Sequence, residues 1–173
     1  IPIGTSRRYA EKYPNLNIVF HPEFLREGSA VKDFFNPPKI VFGLDQNIPK
    51  GLEEVLASIY TGYVSPTFYV TYESAESVKY ADNIFHALKV TFTNEIVKAI
   101  TKKGADPNDV MSIFCADTQL NISPVYLKPG FAYGGSCLEK HLYSFRHQNL
   151  DCKLSLLESI TVSNEYIIAE LCE

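Results

Sequence analysis

The segment Lys128-Pro129-Gly130-Phe131-Ala132-Tyr133-Gly134-Gly135-Ser136-Cys137 carries the most evident chemistry in this chain. Adjacent glycines adopt backbone geometries that other residues avoid, and they let a ligand come close to the main chain. Cys137 follows where a helix is expected to begin. Free N–H groups and the positive end of the helix dipole stabilise a thiolate there. Lys140 stands three residues on and adds positive charge. A flexible loop that delivers a thiol to a helix start is a common way to build a nucleophilic cysteine. The same spacing suits a glycine turn ahead of a buried cysteine, and spacing alone favours neither. His141 lies four residues after Cys137, on the same side of a helix. A Cys–His pair can activate a thiolate, and an exposed helix histidine fits that position equally well.

Two further pairs have helical spacing. Glu23 and Glu27 in Glu23-Phe24-Leu25-Arg26-Glu27 would share one face of a helix. Like charges so placed repel, and such a pair can raise the pKa of a general base. A solvated surface face is the commoner use of this spacing. Lys79 and Asn83 lie beside the apolar stripe of a longer helix. Such a lysine either snorkels to water, the commoner case, or points at a cavity and stabilises negative charge. The histidines at 21, 86, 141 and 147 form no H-E-x-x-H metal motif. The cysteines at 115, 137, 152 and 172 lack zinc spacings. They read as reduced thiols of a cytosolic protein, and those other than Cys137 as small buried apolar side chains. Neither G-x-G-x-x-G nor a Walker A loop occurs.

The elements that must position these residues fall into two grammars. Residues 17–20, 39–43 and 67–71 are strand candidates. A helical turn or two is expected over 24–31, stopped by Asn36-Pro37-Pro38, and a helix runs from Pro49 to about Tyr63 with Leu52, Val55, Leu56 and Ile59 on one face. Strands alternating with helices predict an α/β unit with parallel strands. From Glu73 to about Lys103 one long helix is expected, with Val78, Ala81, Phe85, Leu88, Phe92, Ile96 and Ala99 on one face and Gly104 at its end. Asp106-Pro107 starts a helix to about Ala116; a loop spans 118–136, and helices cover about 137–148 and 154–172. The expected architecture is α/β over 1–72 and all-α over 73–173.

Composition sets outer bounds. With 46% apolar and 21% charged residues, 173 residues enclose a core without disulfides or metal. The net charge of −4 does not suggest a nucleic-acid or membrane-surface protein. No apolar run approaches the roughly 20 residues of a membrane span. Ile1-Pro2-Ile3-Gly4 does not read as a signal peptide but as the interior of something longer.

Three segments, in order, resemble the UDP-glucose/GDP-mannose dehydrogenase family. They are His21-Pro22-Glu23-Phe24-Leu25-Arg26-Glu27-Gly28-Ser29-Ala30 with Asn36-Pro37-Pro38-Lys39-Ile40-Val41-Phe42-Gly43, then Val78-Lys79-Tyr80-Ala81-Asp82-Asn83 with 87–96, then Gly130 to Lys140. Leu120-Asn121-Ile122-Ser123 and Tyr126 to Gly130 are closer to the GDP-mannose branch.

The resemblance implies an enzyme that oxidises the C6 hydroxyl of a nucleotide sugar, GDP-mannose or UDP-glucose, to a carboxylate with two molecules of NAD. Cys137 would be the nucleophile, passing through a thiohemiacetal and a thioester. Lys79 and Asn83 would stabilise oxyanions, and Glu23 and Glu27 would be acidic residues of the active site, Glu23 activating the hydrolytic water. Phe131, Tyr133, Gly134 and Gly135 would line the sugar-nucleotide site, and Lys140 would contact the cofactor. By the same resemblance, 1–72 is the tail of a Rossmann-like NAD-binding domain. Residues 73–173 form a helical central domain, joined by the long helix, through which members form homodimers. The family's Leu-Pro-Lys-Asp after the cysteine is here Leu138-Glu139-Lys140-His141, so His141 replaces an aspartate and is expected to alter catalysis. A second reading is a non-catalytic dimerising module, either truncated or degenerate. A third, a Cys137–His141 hydrolase, ranks below both, because one helix does not readily orient a triad.

Overall fold

The computed structural model describes residues 1–45, 47–123, 125, 132–134 and 136–171. It divides into two compact units, residues 1–86 and 87–173.

The first unit contains α1 (Thr5–Lys12), α2 (Ala30–Phe35), β1 (Ile40–Leu44), α3 (Leu52–Ser58), β2 (Thr67–Thr71) and the first part of α4 (Tyr72–Thr101). β1 and β2 are parallel, with Ile40 opposite Thr67 and Leu44 opposite Thr71. β1 is buried along its whole length. That is what a parallel strand covered on both faces requires, and it explains the unbroken Ile-Val-Phe run. Ile40, Phe42, Leu44 and Leu56 form the core, flanked by Val19, Ile48, Leu52, Tyr60 and Tyr69. Each such buried aliphatic or phenyl side chain contributes about 1.5–3 kcal/mol. Gly43 admits the neighbouring chain: a Cβ there would lie 2.7 Å from the Ala75 Cβ.

Three local expectations change here. The strand expected over 17–20 shrinks to one antiparallel bridge between Phe20 and Gly43. The helix expected over 24–31 does not form; Gly28 at φ +82 turns the chain left-handed, and α2 begins only at Ala30. α1 was not expected. Its Thr-Ser-Arg-Arg-Tyr-Ala-Glu-Lys sequence has a charged face and little apolar periodicity. It is held by Glu76 of α4, 1% exposed. The Glu76 carboxylate accepts hydrogen bonds from the Gly4 N–H (2.5 Å), the Ser6 N–H (2.8 Å) and the Ser6 hydroxyl (2.7 Å). A carboxylate on the orphan N–H groups of a helix start satisfies them and complements the dipole. Arg7 also forms an ion pair with Glu73, whose carboxyl it lowers to about 2.

The second unit contains the rest of α4, α5 (Pro107–Ala116), α6 (Ser136–His147) and α7 (Ser155–Leu171). Gly104, at φ +83, ends α4 with its N–H on the Thr101 carbonyl (3.0 Å). Asp106 caps α5 through the Asn108 N–H (2.7 Å), with Pro107 in the first turn. The core gathers Ala99, Cys152, Leu154 and Leu157, with Phe92, Ile96, Leu142, Phe145 and Ile160 against it. Cys152 is therefore the buried apolar thiol that was expected, whereas Cys115 is exposed. Cys172 lies outside the described residues.

Candidate active site

The structure brings Glu23 and Lys79 together. Lys79, on α4, donates from its ammonium to Glu23 Oε1 (2.9 Å) and to the Glu23 backbone carbonyl (2.6 Å). The Lys79 side chain is thus paired across 56 residues of sequence, not snorkelling. Its hydrogen bond, and a second from the Leu25 N–H (2.7 Å), hold the Glu23 carboxyl below the ordinary glutamate value. Glu23 stays ionised and Lys79 stays in place.

The backbone around Glu23 is fixed from both sides. Upstream, the His21 Nδ1 lies 2.7 Å from the Val41 carbonyl and its Nε2 lies 2.6 Å from the Tyr60 hydroxyl. A carbonyl only accepts, so Nδ1 carries the proton and the Tyr60 hydroxyl donates to Nε2 in the neutral ring. Burial pushes Tyr60 above the ordinary tyrosine value, which keeps that donor protonated. Downstream, Arg26 grips the buried Asp33 with Nε on Oδ2 (3.0 Å) and Nη2 on Oδ1 (2.7 Å), and this pairing holds the Asp33 carboxyl well below the usual range. Glu23 lines a cleft of about 200 Å³ together with His21, Phe24, Lys39 and Tyr60.

Glu27 and Asn83 are exposed, and neither has a side-chain hydrogen bond among the described residues. Because 21–29 is not helical, Glu23 and Glu27 do not share a helix face. Asn83 does lie one turn beyond Lys79 on α4.

In the second unit Cys137 is exposed in the first turn of α6, so the thiol is open to a reactant and close to the N–H groups of a helix start. Lys140 and His141 are exposed on the same helix, without an ion pair among the described residues. Tyr133 is held by Asn164 of α7 from both sides. The Tyr133 N–H donates to Asn164 Oδ1 (2.8 Å), and Asn164 Nδ2 donates to the Tyr133 carbonyl (3.0 Å). Gly134 is exposed; Phe131 and Gly135 lie outside the described residues. α7 is anchored by Glu95 of α4, whose carboxylate accepts the N–H groups of Leu156 (2.8 Å) and Leu157 (3.2 Å). Glu95 and Asn164 belong to no motif that spacing picks out. The available signal for Glu95 is its place in the segment 87–96 that carries the resemblance; Asn164, between Ser163 and Glu165, gives none.

Residues 73–166 match the central-domain model of the UDP-glucose/GDP-mannose dehydrogenase family, and residues 2–64 match the model of its NAD binding domain. The chain belongs to this family. It is 42% identical over 146 residues to the GDP-mannose 6-dehydrogenase of Pseudomonas aeruginosa, covering 83% of this chain and 33% of that relative. A crystal structure of a ternary complex of GDP-mannose dehydrogenase from that organism superposes with a TM-score of 0.81 at 40% identity, covering 87% of this chain and 34% of that one. A UDP-glucose dehydrogenase from the archaeon Pyrobaculum islandicum gives 0.59 at 31% identity, over 96% of this chain and 39% of the other. The chain therefore spans about a third of the length of the curated relatives it matches. No helix of the described residues is long and apolar enough to cross a membrane.

Proposed function

We propose that this chain is a portion of an NAD-dependent nucleotide-sugar 6-dehydrogenase of the cytoplasm, with GDP-mannose as substrate ahead of UDP-glucose. The preference for GDP-mannose is supported by the higher identity to those relatives. The observation that carries the reading is the Glu23–Lys79 clasp at 2.9 Å, formed between two of the segments that resemble the family.

Each side chain then has a task that its chemistry suits. The Cys137 thiolate adds to the C6 carbonyl carbon of the aldehyde, and the carbonyl oxygen takes the negative charge. The Lys79 ammonium and the Asn83 amide stabilise that oxyanion as preorganised donors. Glu23, kept ionised by Lys79, takes a proton from the water that attacks the later thioester; the Cys137 thiolate leaves and a carboxylate forms. Glu27 would be a second acidic residue of the active site. His141, replacing the family's aspartate, relays protons without a permanent negative charge. Tyr133, Gly134 and Gly135, with Phe131, shape the sugar-nucleotide pocket, with Tyr133 pinned by Asn164.

The residues present fit a phosphate-bearing cofactor at one point: Lys140 is an exposed cation with no ion pair among the described residues, three positions from the thiol. Lys140 would hold NAD, which takes up hydride from C6 in each of two oxidations. By the family resemblance, 1–72 would be the tail of the NAD-binding domain and 73–173 the central domain through which two copies associate. The test is NADH absorbance on mixing the protein with NAD and either sugar nucleotide. Sustained NADH formation, faster with GDP-mannose, supports the reading and refutes the non-catalytic dimerising module; no turnover with either sugar by the full-length protein that contains this chain refutes the reading.

A further inference from the structure

Phe24, the residue after Glu23, has two ammonium groups against one ring. The Lys39 Nζ lies 4.3 Å from the ring centroid and the Lys79 Nζ lies 5.7 Å from it. Two cations on one ring are each attracted to it and repel each other, so the arrangement is favoured when each has its own anion. Each does. Lys79 is paired with Glu23 at 2.9 Å and Lys39 with Asp82 Oδ2 at 2.7 Å. Asp82 stands three residues after Lys79 on α4, a spacing that makes the two side chains neighbours. The result is an alternating row: Glu23 carboxylate, Lys79 ammonium, Phe24 ring, Lys39 ammonium, Asp82 carboxylate.

An exposed lysine–aspartate pair is ordinarily worth little. This one differs in place. Its side chains are 28% and 29% exposed, and it ties the residue before β1 to the α4 face that bears Lys79. It also presses on the ring adjoining Glu23. We infer that Lys39 and Asp82 are positioning residues for the Glu23–Lys79 pair and act through the ring of Phe24. The inference rests on the dehydrogenase reading for its consequence in catalysis, but not for its geometry. With the Lys39–Asp82 pair in place, Phe24 occupies one rotamer and Lys79 has one well-defined seat. Without it the ring is released, and the Lys79 ammonium gains positions away from Glu23.

The test has one arm that needs no turnover. The whole protein is treated with a limiting acylating reagent, and labelling at each lysine is followed by peptide mass spectrometry. In Lys39→Ala and Asp82→Asn, Lys79 is labelled several-fold faster than in the wild type, while Lys102, paired with Asp151 in the other unit, is unchanged. Lys39→Arg, which keeps both the ion pair and the cation over the ring, restores the wild-type rate. Equal Lys79 labelling in all four proteins overturns the inference. The second arm is kinetic: kcat falls about tenfold in Lys39→Ala and Asp82→Asn with KM for both substrates unchanged, as expected for a small misplacement of reacting groups. Should Lys39→Ala fail to fold, Asp82→Asn, which keeps side-chain volume, decides by the same criteria. A wild type that turns over no sugar nucleotide defeats the proposed function and leaves the labelling arm standing. An active wild type with unchanged kcat in the variants defeats the positioning role.

Discussion

The two units hold their chemical side chains in opposite ways. In residues 1–86 several charged side chains around the candidate site are already paired: Glu23 with Lys79, Arg26 with Asp33, Arg7 with Glu73. In residues 87–173 Cys137, Lys140 and His141 stand exposed on α6, while Asn164 fixes Tyr133 and Glu95 fixes the start of α7. Under the proposed function, the contrast follows from the tasks. An oxyanion donor and a base act through fixed charge and gain from rigid pairing. A nucleophile must meet its electrophile, so it is left open and its surroundings are ordered instead.

The largest effect that would break or sharpen this contrast is at the thiol. Cys137→Ala is expected to lower the rate of carboxylate formation by about 10³-fold or more while leaving stability within about 0.5 kcal/mol, since the side chain is exposed. Lys79→Ala is expected to cost about 10²-fold in kcat. Steady-state NADH assays and thermal melts check both; a Cys137→Ala protein that forms carboxylate at the wild-type rate would remove the nucleophile from the account. Next is the scaffold of the paired unit. Gly43→Ala places a methyl 2.7 Å from Ala75 and 3.3 Å from Phe20, and should destabilise by about 1–3 kcal/mol in a denaturant melt. In the open unit, Asn164→Ala removes both hydrogen bonds to Tyr133. KM for the sugar nucleotide should rise about tenfold with little change in kcat. The smallest effect is on acid stability. The Glu73 carboxyl is lowered from its usual 4.5 to about 2 by Arg7, so its contribution is complete above pH 4.5 and disappears as pH falls through about 2. Glu73→Gln should therefore flatten the stability profile across that window, and an unchanged profile would show that the ion pair contributes nothing.

The sequence was informative where structure is local. The Ile40–Leu44 run, the apolar periodicity that becomes α4, the Asp106-Pro107 cap and Gly104 each encode their element within a few residues. It was uninformative where an element depends on a distant partner. α1 forms because Glu76 meets its first turn from 70 residues away, and nothing in its own composition announces that. The helix expected over 24–31 yields to a loop because Gly28 and the Arg26–Asp33 grip act together. The site divides along the same line. Cys137 at a helix start was legible from spacing alone, whereas Lys79 reads as a snorkelling lysine until Glu23 is seen 2.9 Å away. The resemblance marked both residues as site residues, but their ion pair is visible only in the structure.

Under the proposed function, Cys137 carries the sugar as a thioester which Glu23 helps water to release. Slowing the release should make the thioester visible. The Glu23→Gln protein is mixed with NAD and GDP-mannose, quenched in acid and mapped by peptide mass spectrometry. The account predicts an acyl adduct on the Cys137 peptide that accumulates beyond the wild-type level and is absent from Cys137→Ala. NADH formation by Glu23→Gln with an unmodified Cys137 would contradict it.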